Sequence, residues 1–358
     1  MSPHDDTVLV KATLLSGATV GIPAEERPGW LRQAIESTEN HHGNSWIFLR
    51  LGPTSRVRLT VTENAPRFTI RRLTPTEGCV SVFETATGTP VAHDLTVEKA
   101  LVHCPRQLFL GLYEHCGSGC LFCPLSYRSD AVAYTIDEMM ADISRYEGEG
   151  LDAIGITTGV PSGMTSEDVG RSLAAVVREI SSRTHHSIPI GVSSKHPSAL
   201  VLRMLRDAGA VEARLNIEMF NRDLARRVMP NKHLDDILRS IDDACRMFGR
   251  GKVSSNMLVG LGETDDDLLS GIAELARLGA IATLYPFDPL PRRWQERLVT
   301  AAGRHVGIPS AERLVRLAVE HSRILRNHGL NAKTLVTMCP GCAASHIMPG
   351  RDLDTEYC

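Results

Sequence analysis

One phrase repeated through the middle of the chain restricts the fold more than anything else: a helix, a glycine, then a short β-branched strand. Thr135 with Glu138 three residues on has the reciprocal capping arrangement that opens a helix. That helix stops near Gly148 and Gly150, and the strand Asp152–Thr157 follows. A helix ending at Gly209 precedes Val211–Met219, one ending at Phe248-Gly249 precedes Lys252–Val259, and one ending at Gly279 precedes Ile281–Phe287. Glycine suits the position just past a helix because it accepts the left-handed conformation. Helices alternating with short strands argue for a parallel α/β barrel rather than a sandwich. With Gln107–Tyr113 and Ile188–Ser193, the count is six strands. A further apolar segment, Lys333–Met338, follows one more helix (Ser310 to His328) and reads as a seventh strand.

The first hundred residues break this rhythm. A short helical stretch at Trp30–Ile35 is followed by alternating segments at Ser45–Leu51, Arg56–Val61, Arg67–Arg72 and Cys79–Glu84. These read as a small meander of strands with no catalytic constellation. The expected organisation is therefore an N-terminal α+β region over 1–103, a barrel over 104–330 and a C-terminal strand with a cysteine-bearing tail over 331–358. The chain has 358 residues, is 42% hydrophobic and 23% charged, and carries a net charge of -3. That balance is globular and gives no reason to expect a nucleic-acid partner. No apolar run is long enough to span a bilayer, and the N-terminus lacks the regions of an export signal, so the expected location is cytoplasmic.

Chemistry enters through the nine cysteines. Cys116, Cys120 and Cys123 crowd into one loop, E-H-C-G-S-G-C-L-F-C-P, straight after the first barrel strand. Three thiolates at that spacing hold three irons of a cubane cluster and leave the fourth iron open to a ligand. Zinc would need a fourth ligand borrowed from His115 or Cys104 and usually takes paired C-x2-C knuckles. The spacing C-x3-C-x2-C, with Phe122 before the last cysteine, resembles the cluster loop of the radical S-adenosylmethionine (radical SAM) enzymes. The stretches Thr157-Thr-Gly-Val-Pro161 and Phe248 to Glu263 are similar to the biotin-synthase-related branch of that superfamily, which includes relatives of two-component lipoyl synthases. The six strands match the partial (β/α)6 barrel of these enzymes.

The resemblance implies a [4Fe-4S] cluster with an open iron, S-adenosyl-L-methionine bound to it, and a reducing partner such as ferredoxin or flavodoxin. It implies a 5′-deoxyadenosyl radical that takes hydrogen from a small-molecule or carrier-protein-bound substrate. By position it implies cofactor contacts at Thr157, Thr158 and Gly159, where the commoner motif is Gly-Gly-Glu, and at Gly260 within Val259-Gly-Leu-Gly-Glu263. Asn216 and Glu218, two apart on the fourth strand, and Ser254 and Asn256, two apart on the fifth, are polar candidates for the same pocket. A buried Glu218 needs a partner, such as the cofactor ammonium or a ribose hydroxyl, and Tyr285 with Phe287 is placed to flank the adenine.

Cys339-Pro-Gly-Cys342 with Cys358 makes a second group of three. It suits a second [4Fe-4S] cluster, a zinc site with His346, or a redox thiol pair. Cys79 and Cys104 would reach it only through the fold. Because both cysteine groups are expected to follow strands, both are expected at the same mouth of the barrel. A second cluster beside a radical site further suggests sulfur insertion at an sp3 carbon, as in biotin and lipoyl synthases.

Overall fold

The computed structural model describes residues 3–38, 45–72, 77–101, 104–127 and 133–353. Cys358 lies outside the described residues. Two sheets organise the chain. The N-terminal strands are β1 (Thr19–Gly21), β2 (Ser45–Arg50), β3 (Arg56–Val61), β4 (Phe68–Arg71), β5 (Cys79–Glu84) and β6 (Pro90–Glu98). They form a closed barrel in the order β1-β3-β2-β6-β5-β4. The four strands expected from alternation are present. The two missed ones decide the closure: β1 pairs parallel with both β3 and β4, and β6 pairs antiparallel with β2 and β5. The region is therefore a barrel rather than an open meander. Three residues of β1 are too short a run to show a period. Its interior holds Ile47, Leu49, Val57, Leu59, Phe68, Ile70, Val80 and Val82, all buried.

The second sheet contains β7 (Gln107–Gly111), β8 (Ala153–Thr157), β9 (Ile190–Ser193), β10 (Ala210–Arg214), β11 (Val253–Val259) and β12 (Ile281–Pro286). All neighbours are parallel and the order is sequential, with β7 and β12 as free edges. This is the partial barrel the repeated phrase implied. Full capping boxes open the helices at Thr135, Thr165 and Thr264. Gly279 closes a helix in the left-handed conformation at φ 98°.

Two expectations fail. The fourth strand ends at Arg214 rather than running to Met219. Beyond it backbone bonds to β11 continue at Leu215 and Glu218, and side chains fill the gap between them: Asn216 Oδ1 accepts the Asn256 N–H at 3.2 Å, and Ser255 Oγ accepts the Ile217 N–H at 2.9 Å. Glu218 then takes φ 65°, a conformation uncommon for a residue with a Cβ. The seventh strand does not exist. Residues Ala332–Thr334 form a single 3-10 turn, and Met338–Cys342 is a short helix. The backbone N–H groups that a strand would offer to β12 go instead to one carboxylate. Glu212 accepts the Val336 N–H at 3.0 Å, the Thr337 N–H at 2.9 Å and the Thr337 hydroxyl at 2.7 Å.

That carboxylate fixes the tail's path. Residues 332–337 touch Gln107, Glu212, Gly251 and Lys252, at or near the N-terminal ends of their strands. The chain then turns inward, where Gly155 and Gly191 make room: a Cβ on either would meet Met338 Sδ at 2.5 Å or Thr337 Oγ1 at 2.1 Å. The tail thus enters from the mouth opposite the cysteine loop rather than by following a strand, although Cys339 reaches inward to Arg214 at the C-terminal end of β10.

The N-terminal barrel holds the tail in place. Ala344 accepts the Arg58 N–H at 2.9 Å. Lys11, fully buried, donates to the Ala343 carbonyl and to both oxygens of Asp352, each at 2.7 Å. Asp352 also accepts from Ser55 Oγ at 2.6 Å and from the Met348 N–H at 2.7 Å. A buried ion pair returns its desolvation cost only when its remaining valences are filled in this way. Among the described residues no helix is long and apolar enough to cross a membrane.

Candidate active site

The loop after β7 carries Cys116, Cys120 and Cys123 to the rim of a cavity of about 300 Å³. Its floor and walls come from the ends of β8, β9 and β10, as strand C-termini do in α/β barrels. The loop is held close: the Gly117 N–H donates to the Val160 carbonyl and the Gly159 N–H to the Tyr113 carbonyl. A Cβ on Gly159 would lie 2.2 Å from the His115 carbonyl oxygen, so only glycine admits this approach.

Burial pushes the Cys120 thiol up to about 12 and the Cys123 thiol up to about 11. Burial acts the same way on Cys116, but there hydrogen bonds from Ser118 and the Val160 amide, with the Lys232 charge, outweigh it and bring the thiol down. Cys116 Sγ is 3.2 Å from Ser118 Oγ and 3.5 Å from the Val160 nitrogen. Metal assembly at such cysteines must displace protons from the buried thiols.

Of the positions expected to meet the cofactor, Phe122, Thr157, Thr158, Gly159, Asn216 and Glu218 line this cavity. Ser254, Asn256, Gly260 and Tyr285 do not. Gly260, at φ 114°, is wedged against the Gly307 carbonyl, 2.1 Å from where a Cβ would stand. The motif's carboxylate works on its own loop: Glu263 accepts the Gly260 and Leu261 N–H groups and pairs with Arg313 at 2.9 Å. Tyr285 sits on the edge strand and lines a different cavity, with Cys339. Phe287 packs in an apolar cluster with Cys120, Met219 and Leu261.

Sequence reasoning missed the cations. Glu218 is paired by Lys232 at 3.5 Å, not left for a ligand. Burial opposes the Lys232 charge, but Glu218 and the three cysteines more than offset it and hold the ammonium above its usual range. Lys195 and Arg214 line the same cavity, as do His196 and Ser194. His196 Nε2 and Ser194 Oγ are buried with no protein partner, as polar groups lining a ligand site are. The run Ser193 to His196 was findable, because it directly follows a strand. Lys232, in a turn between helices, had no local signal.

The donor set fits an iron–sulfur centre with an amino-acid-bearing nucleotide beside it. Three sulfurs line the cavity together with Lys195, Lys232, Arg214 and several hydroxyls, and the volume falls in the range of small-molecule sites. Among the described residues, no group of three or more His, Cys, Asp or Glu side chains is drawn together as a single-ion site.

The second cysteine group differs from expectation. Cys104, which precedes β7, meets Cys342 as a disulfide. Cys339 lies in the same small cavity, lined also by Phe48, Arg58, Phe109, Tyr285 and Ser345. Arg214 Nη1 donates to Cys339 Sγ at 2.8 Å. His346 is fully buried and lies against Tyr285 with the rings tilted by 35° and their centroids 5.3 Å apart. Neither of its ring nitrogens has a partner.

The radical SAM superfamily model matches residues 111–274. No curated protein matches the chain in sequence. Among solved structures, methylornithine synthase (PylB) superposes with a TM-score of 0.50 at 15% identity, covering 63% of this chain and 69% of that one. The FeFe-hydrogenase maturase HydG from Carboxydothermus hydrogenoformans gives 0.50 at 15% identity over 62% of this chain, which spans about half of HydG (52%). A radical SAM methyltransferase from Sphaerobacter thermophilus is 21% identical over 74% of this chain and 75% of its own, with a TM-score of 0.47. These likenesses concern the fold, and none singles out the biotin-synthase-related branch. Residues 111–274, which largely build the parallel sheet and carry the three-cysteine loop at its mouth, are the part of the chain that matches the radical SAM superfamily model.

Proposed function

We propose that the chain is a radical SAM enzyme whose Cys116, Cys120 and Cys123 ligate the catalytic [4Fe-4S] cluster. The observation that carries this is the convergence of those three sulfurs on a polar cavity at the C-terminal mouth of the parallel sheet. When bound, cluster and cofactor together supply a 5′-deoxyadenosyl radical that removes hydrogen from an unactivated carbon of the substrate.

The chain's own groups bind and orient. Thr157, Thr158 and Gly159 present backbone and hydroxyl groups beside Cys116, suited to an ammonium. Lys195 offers a cation to a carboxylate, and burial holds its ammonium below the usual lysine range. Asn216 and Ser194 offer polar contacts for a ribose. Lys232, paired with Glu218, sets positive charge next to the cysteine sulfurs and offsets the negative charge a thiolate-bound cluster brings. Phe122 and Leu125 on the rim limit the entry of water, which protects a reactive carbon radical.

The finer reading is sulfur insertion, with a second cluster as sulfur source and a substrate that is a small molecule or an acyl chain on a carrier protein. It is supported by the second cysteine group, which touches Arg214 on the wall of the first cavity. An electron donor of ferredoxin or flavodoxin type would reduce the catalytic cluster. The test is anaerobic reduction with S-adenosylmethionine and chromatographic measurement of 5′-deoxyadenosine. Its formation is expected, and none from protein with filled metal sites removes the assignment. Labelled cluster sulfide then tests the finer step: no transfer of label to product leaves hydrogen abstraction without sulfur insertion.

A further inference from the structure

We infer that Cys104, Cys339 and Cys342 are the protein ligands of a second iron–sulfur cluster, seated between the free edges of the partial barrel. The inference rests on the radical SAM reading only for the reducing chemistry nearby; the ligand set is read from the fold. Cys104 and Cys342 are 238 residues apart in sequence, yet their sulfurs meet. Cys339 completes the group in one cavity. The cavity is enclosed by β7 through Phe109, by β12 through Tyr285, and by the N-terminal barrel through Phe48 and Arg58.

Two features favour a metal cluster over a plain structural crosslink. Arg214 is a buried guanidinium whose nearest acceptor is a sulfur, Cys339 Sγ at 2.8 Å. A cation spent on a neutral thiol would be poorly repaid, whereas a metal-bound thiolate is an anion. The hydroxyls of Tyr285 and Ser345 line the same cavity as Cys339 and can turn to donate to cluster sulfurs. Such donors to the sulfurs are what tune a cluster's potential.

The tail's anchoring has the same logic. Lys11–Asp352, the Arg58–Ala344 backbone bond and the Glu212 carboxylate all hold the segment on either side of Cys339 and Cys342. Loading the site requires that the Cys104–Cys342 bond be opened. A dithiol reductant gives it two electrons, the S–S bond breaks, the reductant becomes its own disulfide, and two thiolates are freed for iron. Arg214 would then stand between the two clusters, one face on Cys339 and the other on the cofactor cavity.

The test is anaerobic reconstitution of the full chain after dithiothreitol reduction, with iron and sulfide counted and the reduced protein examined by EPR. Wild type should hold clearly more than the about four irons of a single cubane, and C104A, C339A and C342A should each fall back to about four. In those variants the remaining EPR signal should still change on adding S-adenosylmethionine. The converse variant, with Cys116, Cys120 and Cys123 all changed to Ala, should keep iron and an EPR signal insensitive to S-adenosylmethionine. Arg214→Gln should keep the iron but shift the signal of that second centre. About four irons in the wild type, zinc in place of iron at the second site, or a C104A protein with undiminished iron would each overturn the inference. None of these results touches the catalytic loop, whose own failure would appear as the loss of the S-adenosylmethionine-sensitive signal.

Discussion

The two cysteine sites are built on opposite principles. The loop site is local: three cysteines within one short turn, closed by backbone bonds to Tyr113 and Val160, and dependent on glycines that allow close approach. The tail site is assembled from both ends of the chain, and every group that aligns it comes from a different element: Arg214 from β10, Tyr285 from β12, Arg58 from β3. A local site tolerates strain elsewhere in the molecule. A site made by long-range convergence depends on the whole tertiary arrangement and is lost when any one anchor fails.

The largest effect tests the local site. Cys120→Ala should remove 5′-deoxyadenosine formation to background while leaving the thermal unfolding midpoint near that of wild type, as measured by chromatography and circular dichroism. A variant that still cleaves the cofactor at the wild-type rate would show that the loop does not hold the catalytic metal.

The next should separate the sites. Glu212→Ala leaves the Val336 and Thr337 N–H groups without their acceptor and should cost about 3 kcal/mol in denaturant unfolding. It should also lower iron at the tail while the loop keeps its S-adenosylmethionine response. Equal loss at both sites would mean that the loop site depends on the tail's anchoring as much as the tail site does.

A smaller, pH-dependent effect belongs to the tail and its supports. Burial lowers His321 from 6.5 to about 3, and burial also lowers His346, next to Tyr285. In the folded chain these rings stay neutral while in the unfolded chain they take up protons. Stability from them is complete above pH 6.5 and is lost as the pH falls from there toward about 3. The slope for one such group approaches about 1.4 kcal/mol per pH unit within that window. Urea midpoints taken from pH 7.5 down to 4.5 should show the decline, and His321→Gln should flatten it. An unchanged slope in that variant would place the sensitivity elsewhere.

The smallest is Thr165→Ala, which removes a capping box behind the Thr157–Gly159 loop and should cost about 1 kcal/mol with little change in cofactor cleavage. A large catalytic effect would show that this helix start positions the loop.

Much of this was readable in the chain. Alternating helix and strand announced the parallel sheet because each unit's glycine, cap and apolar run lie within a few residues of one another. The loop cysteines, Thr157 to Gly159, and the pair Asn216 and Glu218 line one cavity, though the last two lie past the strand's end. Tyr285 went astray because period-two alternation tells which face a residue takes, not which of two cavities along that face it reaches. Lys195, Lys232 and Arg214 went unnoticed as cofactor-side cations because charge in a sequence carries no address.

What the sequence determined by itself was whatever is encoded at short range: the repeated βα unit, the helix caps, and a three-cysteine turn suited to iron. Only the tertiary structure decided that residues 333–338 form no strand, that the first hundred residues close into a barrel, and that Cys104 joins Cys339 and Cys342. The physical reason is that these outcomes are settled by competition for partners across the molecule. The Glu212 carboxylate outbids a strand for the tail's N–H groups, and β1 closes a barrel whose other strands were visible but whose seam was not.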